Sequence, residues 1–197
     1  MLYHEPTNTE FNSVYDFKLA NKDTSFGDLA NEEERDAIGL YSVDEKQPSV
    51  DSVFYKVSPK GVILKESKYV RDWEIQQLPI EVMRSNLLKA IAAKRWQHEA
   101  SGITLGSGIK VNTAVEDQNR ITSVIANAEL AGVSSINFKA VNAWVTLSIQ
   151  DLKDIASAIA LHVQNCFSTE RMHYEQISAC TSAEELLSYN INEGWPS

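Results

Sequence analysis

Between Lys94 and Arg120 the run KRWQHEASGITLGSGIKVNTAVEDQNR carries a His-Glu pair, a Gly-Ser-Gly turn and an Asn-Thr pair. These residue types belong to zinc, phosphate-loop and serine-nucleophile chemistry, and spacing decides among them. A zinc-hydrolase helix needs a second histidine four residues after the first, so that both imidazoles share one face. His98-Glu99 is followed by Ala100, Ser101 and Gly102 instead, which leaves His98 as a polar helix end facing the negative pole of the helix dipole. His162 and Cys166 are four apart and could reach one ion, with His173 two turns further on. Such sites want a third and fourth ligand, and no Cys-x-x-Cys or matching His pair supplies them. Gly106-Ser107-Gly108 lacks the Lys-Ser/Thr that completes a phosphate loop, and the Gly-x-Ser-x-Gly pattern of a nucleophile elbow is absent. Paired catalytic carboxylates cannot be located either. The residues therefore point to no catalytic group, no cofactor and no metal.

The elements that carry these residues explain them as scaffolding. Pro79 marks a helix start, and Ile80, Met83, Leu87 and Ile91 follow at spacings of three and four, predicting a helix that ends near Gly102. Ile103–Leu105 and Ile109–Val111 flank the Gly-Ser-Gly turn as a tight hairpin. Thr113 with Glu116 then reads as a capping box for a helix from about Ala114 to Ala131, stopped by Gly132. Ile136, Phe138, Trp144 and Leu147 bracket Val141-Asn142-Ala143 as a second hairpin. Ser148 with Asp151 opens a long helix along Leu152, Ile155, Ile159, Val163, Cys166, Tyr174 and Ile177, whose stripe Glu170 interrupts. Thr181 with Glu184 caps a last short helix.

Residues 1–30 read as an extended arm with scattered anchors and one short strand. Asn31 and Glu34 signal a short helix closed by Gly39, and LYSV (40–43) has strand composition. Further on, Phe54–Val57 and Val62–Leu64 flank Ser-Pro-Lys-Gly, predicting a hairpin that turns at Pro59. The fold class expected is α+β: an N-terminal antiparallel β-rich region over 1–78 with its arm, and over 79–197 a C-terminal three-helix domain with two short β-hairpins. No repeat of fixed period is present.

At 197 residues the chain can bury a core without disulfides. A net charge of −9, with its 18 Lys and Arg scattered, argues against a nucleic-acid surface. No run approaches the length of apolar sequence that a membrane helix needs. The N-terminus lacks the basic and apolar regions of a signal peptide, so its two cysteines are expected in a reducing cytoplasm. Trp96, Trp144 and Trp195 lie near element boundaries, where large amphipathic rings close core edges more often than interfaces.

The segment from about Lys94 to Pro196 resembles an uncharacterised domain family of tail and tail-fibre-region proteins of tailed bacteriophages and prophages. The residues carrying the likeness are KRWQHEASGITL, GIKVNTAVEDQNRI, INFKAVNAWVTL, HVQNCFSTERMHYEQI and the closing NEGWP. Upstream, NEEERDAIGLYSV looks like the lead-in of such proteins. The family pattern would place glycine before Trp144, where this chain has Ala143. The resemblance implies a tail structural protein: a fibre- or baseplate-associated adaptor or fibre component acting in virion assembly and host attachment. It would sit in the virion tail, and in the host cytoplasm during assembly. The implied partners are other tail proteins, fibre or baseplate chains, and further copies of itself. A fibre-assembly chaperone absent from the particle is the alternative. The candidate contact residues are Arg171, Met172 and Tyr174 on the outer half of the long helix, together with Trp144 and Trp195. That half, from Ser168 to Gln176, is mostly polar and is expected to project from the domain or pair at its rim.

Overall fold

The computed structural model describes residues 1–196. The chain divides into two compact units, Met1–Leu78 and Pro79–Ser197.

In the first unit, β1 (Leu2–His4), β2 (Thr9–Phe11), β3 (Leu40–Asp44), β4 (Tyr55–Lys65) and β5 (Lys68–Gln77) form one sheet in the order β2-β1-β3-β5-β4. Its pairings are antiparallel except for β3 with β5, which run parallel through Val43–Tyr69 and Asp44–Val70. The first 30 residues are not an extended arm. Strands β1 and β2 are followed there by α1 (Val14–Ala20), whose Phe17 packs into a small core with Leu2, Leu29 and Leu40. The missed signal is Ser13, whose hydroxyl accepts from the Asp16 amide and starts the helix. In α2 (Glu32–Ala37) the Asn31 side chain caps the amide of Glu33, while the Glu34 carboxylate accepts from the Asp28 amide at 2.6 Å.

The β4–β5 hairpin does not turn at Pro59. Ser-Pro-Lys-Gly lies within β4, where the register shifts between Pro59 and Gly61, a bulge that accommodates a residue with no N–H to donate. The reversal falls at Glu66 and Ser67, with φ of 50° and 64°. Two successive left-handed residues give the twist that matches a strand pair.

In the second unit α3 (Ile80–Glu99) and α4 (Val115–Ala131) both pack on α5 (Ile149–Ala179), and α6 (Ala183–Ser188) packs on α3. Pro79 is the residue before α3, in extended backbone, and its carbonyl accepts from the amides of Val82 and Met83. Along α5, Leu152, Ile155, Ile159, His162, Cys166, Thr169, His173 and Ile177 are buried. The spacing of three and four thus holds a single face inward from one end to the other. The outer half does not project freely, because Thr169, His173 and Ile177 are covered once the chain after Cys180 folds back. The core proper joins Leu152, Ile155 and Ile159 to Ile121 of α4 and to Val111 and Leu147 of the hairpins. Those hairpins are β6–β7 (Ile103–Thr104 with Lys110–Val111) and β8–β9 (Ser135–Lys139 with Trp144–Ser148).

Two caps fall one step away from the sequence reading. Ser148 and Asp151 form the expected capping box, but at α6 the box is Ser182 with Glu185. Thr113 makes no cap; Ala114 stands at that position with no side-chain bond.

Candidate functional site

The residues singled out for chemistry converge on a polar seam between α3, α5 and the C-terminal segment 189–196. Arg95 lies at its centre. Its Nη1 donates to Glu99 one turn along α3, its Nε donates to Glu170 across on α5 at 3.0 Å, and its guanidinium sits 4.5 Å over the ring of Phe167. Burial opposes the Arg95 charge, but the two carboxylates outweigh it and hold the guanidinium ionised. Glu170, which breaks the apolar stripe in the sequence, is thereby accounted for.

His162 and Cys166 share a face of α5, with Sγ 3.8 Å from Nε2. That nitrogen also lies 2.9 Å from the His98 carbonyl, which can only accept, so Nε2 carries the proton. The lone pair a metal would need is therefore absent on the side facing the sulfur. Burial, reinforced by the Glu99 carboxylate, pushes the Cys166 thiol up and away from the thiolate a metal or a nucleophile requires. At His173 the Glu193 carbonyl takes Nε2 at 3.0 Å and the Tyr189 hydroxyl takes Nδ1 at 2.7 Å. Among the described residues no three His, Cys, Asp or Glu side chains are grouped to hold an ion.

The seam instead fastens the tail. The Trp195 indole stacks between the rings of His98, at 5.2 Å, and His173, at 5.4 Å, and donates to the Ile191 carbonyl. Thr169 donates to the Gly194 carbonyl, and Lys94 to Asn192. Of these tryptophans, Trp195 closes the edge of the seam, while Trp96 and Trp144 are 61% and 70% exposed. Of the candidate contact residues, Arg171, Met172, Tyr174 and Trp144 are exposed; Trp195 is half-buried in the seam. Arg171 is satisfied locally by Glu175 at 2.8 Å.

Thr113 is fully buried, and its hydroxyl donates to the Glu99 carbonyl and accepts from the Gly102 amide at 2.9 Å. It ties the end of α3 to the strand that follows the Gly-Ser-Gly turn. Gly102 itself has φ +82°, and a Cβ there would stand 2.8 Å from the Val111 carbonyl oxygen.

A second feature lies where the two hairpins meet. The Val141 amide donates to the Lys110 carbonyl, the Lys110 amide donates to Asn142 Oδ1, and Asn142 Nδ2 donates to the Gly108 carbonyl. Asn142 therefore pins one hairpin tip to the other. The Ala140 amide closes the tip on the Ala143 carbonyl, and Ala143 keeps negative φ, so the turn needs no glycine before Trp144. Beside this junction opens a cavity of about 260 Å³, floored by the core residues Val111, Ile121 and Leu152 and walled by Phe138 and Trp144. Nothing in the sequence announced it, because its lining comes from four separate segments.

The fold is an α+β one in which a helical unit with two cross-pinned hairpins carries the polar seam. Residues 82–191 match the family described as Domain of unknown function (DUF4376), and the chain belongs to that family. No curated protein and no solved structure matches it. No helix among the described residues is long and apolar enough to cross a membrane.

Proposed function

We propose that the chain is an interaction protein of a bacteriophage tail, an adaptor or fibre-associated subunit that works through its surface. The family resemblance of the segment from Lys94 to Pro196 supplies the setting. The observation that carries an interaction role is the outer surface of α5. A helix of 31 residues spans about 46 Å. Its inner face is spent on the core and the seam, yet Leu161, Phe167, Met172 and Tyr174 remain exposed on the rest of it. Leu161 and Met172 lie about three turns apart on one line, and Phe167 and Tyr174 about two turns apart on another. Apolar side chains aligned on an outer helical surface suit a partner chain. The seam fits the same reading, since Arg95, Glu99, Glu170, Thr169 and His173 are spent on one another and on fastening the tail.

Mass spectrometry of purified particles tests the assignment: the chain is expected in stoichiometric amount with the other tail proteins. Its absence from finished particles, with fibres failing to form when it is deleted, would favour the assembly-chaperone role. Reversal of charge by Arg171→Glu, next to Met172 and Tyr174, is expected to lower incorporation or adsorption. Particles with normal content and normal adsorption would remove this surface from the contact.

A further inference from the structure

We infer that the cavity between the two hairpins and α4 is a binding site for a carboxylate-bearing apolar group, such as an aromatic acid or an aromatic side chain beside an acidic one. Size sets the first limit. A dry cavity of about 150 Å³ already accepts benzene, so 260 Å³ holds a six-membered ring with a short chain. Val111, Ile121 and Leu152 at its floor belong to the hydrophobic core, and Phe138 and Trp144 line its side. An apolar group entering there displaces water from carbon on several sides, as in ordinary ligand pockets.

Charge sets the second limit. On a chain of net charge −9 the polar rim carries two cations, Arg120 and Lys139, against one carboxylate, Asp117. Asp117 is already engaged by Arg120 at 3.4 Å. Lys139 has no carboxylate within ion-pair distance among the described residues, and its ammonium lies 5.7 Å over the Trp144 ring. It is a cation held against an aromatic wall at the mouth of an apolar cavity. The two uncharged rim amides, Asn112 and Asn137, can serve either a carboxylate or a peptide group. Preorganisation is the third point. The bonds of Asn142 and Val141 to the neighbouring hairpin fix the mouth before any ligand arrives, which lowers the ordering cost of binding.

Titration of the isotope-labelled full chain with 4-phenylbutyrate, its neutral amide 4-phenylbutyramide, and the peptide N-acetyl-Glu-Phe-amide tests the site by NMR. The acid is expected to shift the Trp144 indole N–H and the Ile121 and Val124 methyls with a Kd of about 1 mM, ordinary for so small a ligand. The amide should bind about fivefold more weakly, the size of one exposed ion pair. Lys139→Gln, an exposed position whose replacement leaves the fold intact, should bring the acid down to the level of the amide. Saturation by the free acid alone marks a small-molecule ligand; binding by the peptide alone marks a partner chain as the source. No shift at these residues with either acid or peptide, or equal binding of acid and amide, overturns the proposal.

Discussion

Thr113→Val distinguishes a buried tie from a surface helix cap. The substitution keeps the volume and the β-branch but removes the hydroxyl, so packing around a fully buried side chain is preserved. What is lost is one donor to the Glu99 carbonyl and one acceptor for the Gly102 amide. The Glu99 carbonyl belongs to the last turn of α3, where carbonyls have no partner within the helix. A buried polar group left unsatisfied costs about 1–3 kcal/mol. With Glu99 buried and Gly102 half-buried, the two together give about 3 kcal/mol. Urea unfolding followed by tryptophan fluorescence is a suitable assay, because Trp96, Trp144 and Trp195 all lie in this unit. The midpoint should fall by about 1.5 M with the slope unchanged. Glu116→Ala should stay within about 0.5 kcal/mol of the parent, as a surface change does. A capping box would behave otherwise, with both variants losing about 1 kcal/mol. A loss at Thr113→Val of 1 kcal/mol or less, matched by Glu116→Ala, would refute the buried tie.

Gly102→Ala should destabilise the unit by more than about 1 kcal/mol, because positive φ and the nearby Val111 carbonyl both oppose a Cβ; thermal unfolding reads this directly. Arg95→Met should cost about 3 kcal/mol by leaving Glu99 buried without its partner, and Arg95→Met/Glu99→Leu should recover most of it in the same urea assay. The Asp151 carboxylate is held below the usual carboxylate range by bonds from the Ser148 hydroxyl and amide. A depressed folded value stabilises above the unfolded one, so this contribution is complete above roughly pH 4 and fades as the pH falls. Carboxyl NMR titration should show the Asp151 value rising toward normal in Ser148→Ala.

What the sequence determined by itself was local. The three long helices, both small hairpins and the Ser148–Asp151 cap were legible because a helix or a tight turn is specified by residues a few positions apart. The two compact units divide between Leu78 and Pro79, where the sequence pattern passes from a period of two to one near 3.6. Where a residue had both a local and a distant partner available, the distant one decided. Thr113 carries a cap signature but spends its hydroxyl on Glu99 and Gly102, since burying it without partners would cost more than a surface cap gains. Ser-Pro-Lys-Gly has turn composition, yet the pairing of β4 with β5 carries the strand through it as a bulge and turns at Glu66-Ser67. His98, His162 and His173 look alike as candidate ligands; the packing of α3 on α5 sets His162 Nε2 against the His98 carbonyl, and the fold of the tail over α5 places Glu193 and Tyr189 on the His173 nitrogens and Trp195 against the rings of His98 and His173. The pinned hairpins and the cavity beside them join residues 108–112 to 136–144 through Asn142, a pairing across the intervening helix α4 that no periodicity along the chain encodes.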